Sequence, residues 1–308
     1  MVSKLRFARI NFEPKLTHFK EERKVKIKRE RDEFLKVISF DIDVNSILRK
    51  AREKWKSTPR INKPGYQPQK IESIKDDTEW KFGGIKYGDD YIFGKLAKYK
   101  GHIITITDEK NKDFKQDKIK DAHLCNFLIN FEKHILVYES KKNIGEISPK
   151  ILIEELFNSY FGGEEQISLE IITDKREIIQ RIEDLEVITS VKLHLKPTNP
   201  NSSPSSDRMD KLLKSLKASR LTIEASSVAG IDLSGGENFL QSGLRLAEEG
   251  YGNAQVIGRK KDKEDEYETI NSYNLPVSEK VKLPQDDNDK IALLNKKADE
   301  IDDLFKKP

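Results

Sequence analysis

Apolar residues recur along this chain in short runs of two different periods. Their order predicts an α+β protein, with mixed sheets, interspersed helices and two domains. Lys4 to Phe12 alternates apolar and basic residues as a strand does, and Glu13 and Pro14 end the run. Residues 20 to 31 set Val25 and Ile27 among Lys24, Lys26 and Lys28, ahead of an apolar run from Phe34 to Ile42. That pattern predicts a basic strand or hairpin arm followed by a second strand. Asp43 can then cap a helix from Val44 to Trp55, because Ile47, Leu48, Ala51 and Trp55 share one face.

Pro59, Pro64, Gly65 and Pro68 make the next stretch irregular, and a hairpin is expected from Trp80 to Tyr99 around Gly88, Asp89 and Asp90. Strands fit Ile103 to Thr107, Leu124 to Phe131 and His134 to Glu139. A helix then opens at Ser148 and Pro149 and runs to Phe161, where Gly162 and Gly163 close it. Strand Gln166 to Ile172, helix Lys175 to Leu185 and strand Val187 to Leu195 suggest a βαβ-like unit. Past a serine- and proline-rich loop come helix Asp207 to Leu216, strand Arg220 to Glu224, helix Glu237 to Glu249, strand Asn253 to Arg259 and a terminal helix Asp289 to Phe305. The change of period places the domain boundary between 145 and 146: a basic, strand-rich domain over 1–145 and an α/β domain over 146–308.

Composition narrows the class. Charged and apolar residues each make up 36% of the 308 residues, which is polar for a globular chain, yet the apolar clusters span nearly its whole length and argue against wholesale disorder. No long apolar run or leader-like start is visible, and Cys125 is the single cysteine, so a soluble cytoplasmic protein without an internal disulfide is expected.

The formal charge of +4 hides an asymmetry. Residues 1 to 100 hold 26 Lys and Arg against 15 Asp and Glu, a net of +11, which leaves −7 for the remainder. A positive patch on an acidic body suits a polyanion, since each neutralised phosphate releases a condensed counterion. Solvated faces alone produce similar counts. The densest segment contains Arg49, Lys50, Arg52, Lys54, Lys56, Arg60 and Lys63 around Trp55. Part of this charge complements a helix C-terminus. In the Trp80 to Tyr99 hairpin, lysines interleave with aromatics that can stack bases or fill a core. A further basic element sets Arg208, Lys211, Lys214 and Lys217 at threefold spacing opposite Met209, Leu212, Leu213 and Leu216.

Catalytic motifs are weak. Leu233 to Glu237 reads Leu-Ser-Gly-Gly-Glu, the form of an ABC-ATPase signature loop, but no Walker A sequence accompanies it. Glu139 and Lys141, at the end of an apolar strand, have the E-x-K spacing of Mg²⁺-dependent nucleases, with Asp121 the nearest upstream acid. Outward polar residues at a strand end explain the pair equally. His123 and Cys125 form the one close His/Cys pair, which ordinary packing also explains. No resident metal or cofactor is expected, and a non-enzymatic role is favoured.

The stretch Leu5 to Phe12, Leu-Arg-Phe-Ala-Arg-Ile-Asn-Phe, together with Asp43 to Leu48, Asp-Val-Asn-Ser-Ile-Leu, resembles the start of RexA-type phage-exclusion proteins. The α/β order is similar to that of the DNA-binding KwaB proteins of Kiwa systems. The resemblance implies sequence-non-specific DNA binding in bacterial phage defence of the abortive-infection kind, and it carries over no site residue. The expected partners are DNA or another nucleic acid, with a phage or host protein as a further possibility and no membrane. A regulatory subunit that binds an acidic protein remains an alternative, as does the nuclease.

In the terminal helix Ile291, Leu294, Ala298, Ile301 and Phe305 recur at spacings of 3, 4, 3 and 4, the pattern of a coiled-coil seam. Two heptads do not hold a free coiled coil, so the stripe must pack on the chain's own body or on a second copy. A homodimer is therefore part of the expectation.

Overall fold

The computed structural model describes residues 2–12, 23–39, 41–47, 49–50, 78–108, 113–146, 148–160, 167–199, 207–233, 238–261 and 266–305, with 100–108, 113–120 and 207 described in backbone only. The fold is α+β, with antiparallel sheets and helices interspersed along the chain. It clusters into two compact units assembled from separated segments: 1–22, 129–137 and 166–308 in the first, 23–128 and 138–165 in the second. Among the described residues no helix is long and apolar enough to cross a membrane.

In the first unit, β1 (Val2–Phe12) buries Leu5, Phe7, Ala8 and Ile10. Its start pairs antiparallel with β11 (Ser278–Lys282), Val2 opposite Lys282, and its end with β6 (Ile167–Ile171), Phe12 opposite Ile167. A second antiparallel sheet has the order β10 (Tyr267–Asn271), β9 (Gly252–Lys260), β7 (Leu185–Leu195), β8 (Leu221–Ser226). Strict alternation along β7 sends Val191, Leu193 and Leu195 into a core with Met209, Leu213, Leu244 and Ala247. Gly243 lets a helix approach this sheet closely, since a Cβ there would lie 2.5 Å from Leu193 Cδ1.

The expected βαβ unit is not formed. The strand and helix limits are close to those expected, but β6 pairs with β1 whereas β7 pairs with β8 and β9. Helix α3 (Lys175–Glu183), capped by the Asp174 side chain on the Arg176 and Glu177 amides, therefore leads from one sheet into the other. Strands β10 and β11 had no counterpart in the apolar pattern. Each has five residues, and β11 (Ser-Glu-Lys-Val-Lys) joins through backbone pairing rather than an apolar face.

The terminal helix α6 (Asp287–Leu304) is close to its expected limits, and Ile291, Leu294, Ala298 and Ile301 are all buried. Its polar flank is fixed within the same unit: Asp302 takes a hydrogen bond from Arg9 at 3.0 Å, and Lys297 lies 2.7 Å from Glu279 of β11. The apolar stripe packs on the chain's own body, so it is not an open seam for a second copy.

In the second unit, residues 20–31 are not a basic strand, nor is Phe34–Ile42 an apolar one. Arg23–Val37 is a helix, α1. Its buried residues are Lys26, Glu30, Arg31, Phe34 and Val37, a helical spacing with three charged members, while Val25 is 53% exposed. Lys26 and Glu30 form an ion pair at 3.5 Å, and Phe34 packs on Phe157 of α2 (Ser148–Tyr160) with ring centroids 4.4 Å apart. The Val25–Ile27 alternation is too short to outweigh the helix propensity of a Lys/Arg/Glu-rich run. Strands β2 (Glu79–Tyr87) and β3 (Tyr91–Asp108) form the expected hairpin at Gly88; β4 (Asp113–Asn130) and β5 (Ile135–Ser140) are the next neighbours in the sheet order, with residues 129–130 and 135–137 counted in the first unit.

Candidate nucleic-acid interface

The candidate cations fall into three groups. The first is α4 (Asp207–Ser215), whose Met209 and Leu213 are buried to the sheet while Arg208, Lys211, Lys214 and the following Lys217 are exposed. The threefold spacing thus makes an outward basic stripe. The helix's one other described acid, Asp210, is buried and accepts a hydrogen bond from the Thr198 amide at 2.8 Å. Lys214 reaches back to Asp210 Oδ2 at 2.6 Å and to Thr198 Oγ1 at 2.8 Å, so it anchors the helix rather than offering a wholly uncommitted charge. Leu216, expected on the apolar face, is 57% exposed because the helix ends at Ser215.

Two further cations lie where the sequence pattern did not mark them. Arg220 precedes β8, and Lys192 lies on β7, on the face opposite Val191 and Leu193 and 3.2 Å from Glu224. His194, two positions on, has its pKa held below the ordinary value, first by partial burial and then by Lys192 and Arg220. A strand-end cation beside an outward histidine leaves no periodic signal.

The second group is α1. Lys24 and Lys28 are exposed, but Lys26 is buried against Glu30. Arg31, counted in the basic excess, is buried and donates to the Gly88 and Asp89 carbonyls of the β2–β3 turn at 2.6 and 3.3 Å. Arg9 of β1 is similarly committed, donating to the Glu249 and Lys133 carbonyls and to Asp302. Burial opposes its charge, but Tyr251 and Asp302 raise its pKa above the ordinary value. The excess of the first 100 residues is therefore partly internal.

The third group is the run after Asp43. Asp43 accepts from the Ser46 amide at 2.9 Å, as a cap should, and Arg49 and Lys50 are exposed in the helical residues that follow. Arg52, Lys54, Lys56, Arg60, Lys63 and Trp55 lie outside the described residues. Half of the hairpin aromatics are core: Trp80, Phe82 and Phe93 are buried, and Phe82 packs edge-on against Phe127, while Tyr91 and Tyr99 are partly buried. Tyr87 is exposed at 60% and faces the Arg31 guanidinium, 5.6 Å from the ring centroid.

Glu139 and Lys141 do meet, but in a structural clamp. Glu139 is 1% exposed, and its Oε2 accepts from the Asn126 backbone at 2.8 Å and from Asn126 Nδ2 at 2.6 Å. Lys141 Nζ sits 3.2 Å from that oxygen and donates to the Leu124 carbonyl at 2.7 Å. These bonds join β4 to the end of β5 and engage Glu139 through Oε2. Burial and the Glu139 charge push the Cys125 thiol up to about 12, so it is a packed thiol rather than a nucleophile. Among the described residues no group of three or more His, Cys, Asp or Glu is placed to hold a metal ion.

Of the signature-like run, Leu233 is described and 234–237 lie outside the described residues. The helix beyond it, α5 (Phe239–Glu248), is capped by Asn238, which accepts from the Gln241 amide at 2.7 Å. No curated protein matches the chain. The model of a domain of unknown function, DUF4747, matches residues 4–299, nearly the full length, and the chain belongs to that family.

Proposed function

We propose that this protein binds nucleic acid, DNA foremost, through the phosphate backbone and without sequence preference, in bacterial phage defence. The observation that carries the reading is α4, where Arg208 and Lys211 stand outward from a helix fixed to its sheet by Met209 and Leu213, with Lys217 exposed in the turn that follows. Cations held on a rigid element at regular intervals meet phosphates at little entropic cost, and phosphate contacts position a protein without reading bases. Arg49 and Lys50 extend the exposed basic surface elsewhere in the chain. The phage-defence setting draws on the N-terminal resemblance.

Mobility shifts with duplex DNA, single-stranded DNA and RNA across a salt series test the reading. Binding that weakens steeply with salt and is alike for unrelated duplex sequences supports it. No binding to any of the three at low salt rejects it. Mg²⁺ in parallel tubes tests for cleavage, which the Glu139 clamp does not favour.

A further inference from the structure

We propose that β3 and β4 together form a two-stranded arm that seats in a groove of duplex DNA; this deepens the nucleic-acid reading and rests on it. Both strands have 18 residues, whereas their neighbours are short: β2 has 9 and β5 has 6. The β2 ladder on β3 runs from Ile92, opposite Tyr87, to Tyr99, opposite Glu79. On the other side, the Asn126–Glu139 and Leu124–Lys141 hydrogen bonds place the end of β5 beside residues 124–126 of β4. Residues 100–108 and 113–123 therefore run on beyond both neighbouring strands. They are adjacent in the sheet order, and among the described residues no third strand is recorded against them. At ~3.3 Å per residue, nine residues reach roughly 30 Å beyond the sheet.

Where β4 leaves the sheet, Asp121 and Ala122 are exposed and Leu124 is 49% exposed. Pairing with β2 and β5 does not require such length. The length suits reach instead. The β-branched run Ile103 to Thr107 favours an extended backbone, and residues 100 to 120 carry six lysines against four acids. Lys115, Lys118 and Lys120 lie within eight residues of β4, with Asp113 and Asp117 the acids among them. The major groove of B-DNA, about 12 Å wide, admits a two-stranded ribbon, and a basic ribbon there lies between two phosphate backbones.

Two full-length variants test this. In one, residues 101–120 are replaced by Asn-Gly, a two-residue hairpin turn between Lys100 and Asp121. In the other the arm is retained with Lys115→Glu, Lys118→Glu and Lys120→Glu. Affinity for a random-sequence duplex is measured by fluorescence anisotropy over a salt series, with circular-dichroism melts and light scattering on each protein. Both variants are expected to keep the parent fold and oligomeric state and to lose at least tenfold in affinity. The lysine variant should also flatten the log–log salt slope by about 3, at ~0.9 per phosphate contact. Parent-like affinity in a folded shortened variant overturns the arm but leaves the nucleic-acid reading intact. A parent that binds no nucleic acid overturns both. A shortened variant that changes from dimer to monomer with unchanged affinity shows the arm pairing two copies, which also overturns the proposal. If shortening prevents folding, parent-like affinity and slope in the lysine variant overturn it instead.

Discussion

Two basic helices of this chain use their charge in opposite ways. In α1 the cations and apolar residues are interleaved without a clean face, and the stripe that turns inward includes Lys26 and Glu30. In α4 the apolar positions are spaced so that Met209 and Leu213 take the inward face and Arg208 and Lys211 the outward one. The cation count of a segment therefore says little about its surface charge; the placement of cations relative to the buried stripe decides it. A cation on the stripe needs a carboxylate or carbonyls as partners, and then it serves the fold.

Changes in α1 should accordingly cost stability, and changes in α4 binding. The largest stability effect is expected for Glu30→Ala, which leaves the buried Lys26 without its ion-pair partner; thermal or denaturant melts should show a loss of about 3–5 kcal/mol. Replacing both members, Lys26→Met with Glu30→Leu, should restore most of that loss, because the pair's desolvation cost disappears with it. If the single variant melts like the parent, the buried pair is not holding α1.

Glu248 is next in size, a buried carboxylate at the end of α5. Burial pushes its pKa up to about 7, Glu249 adds to the rise, and Lys175 and Arg245 oppose it. Because the folded-state value lies above the unfolded one, folding favours the protonated form, and a destabilising penalty grows as pH climbs from about 4.5 through 7. Glu248→Gln should raise stability by on the order of 2 kcal/mol at pH 8 and leave it unchanged at pH 4. Equal melts of the two proteins at pH 8 would show that the carboxylate is not strained.

Glu139→Gln keeps one acceptor for Asn126 but loses the charge facing Lys141, so a cost of about 1 kcal/mol is expected, with nucleic-acid affinity unchanged. Loss of a Mg²⁺-dependent activity in this folded variant would return the pair to catalysis. The smallest effect belongs to Lys24→Glu with Lys28→Glu, both exposed on α1: melting should shift by less than about 0.5 kcal/mol. A larger shift would show that these lysines too are structurally engaged.

Legibility in the sequence followed the source of each element's stability. β7, α4 and α6 carry their own periodic stripes, so Val187–Leu195, Asp207–Leu216 and Asp289–Phe305 were placed within a few residues of their limits. α1 was misread because three of its five buried residues are charged, and an ion pair that neutralises itself is invisible to a hydrophobic pattern. β11 was missed because its place depends on β1, more than 270 residues earlier, as Val2 opposite Lys282 shows. The partner of β6 was hidden for the same reason, since local order favoured β7 and the fold selected β1. The α4 stripe was legible at its cations. The commitment of Lys214 to Asp210 and Thr198 was not.

The central claim, that outward cations of α4 bind phosphate, is most directly tested by the salt dependence of duplex affinity for the parent and for Arg208→Glu, Lys211→Glu, Lys217→Glu. A retained fold, a loss of affinity of a hundredfold or more at fixed salt and a log–log slope flatter by about 3 are expected. An unchanged slope and affinity in the folded triple variant would contradict it.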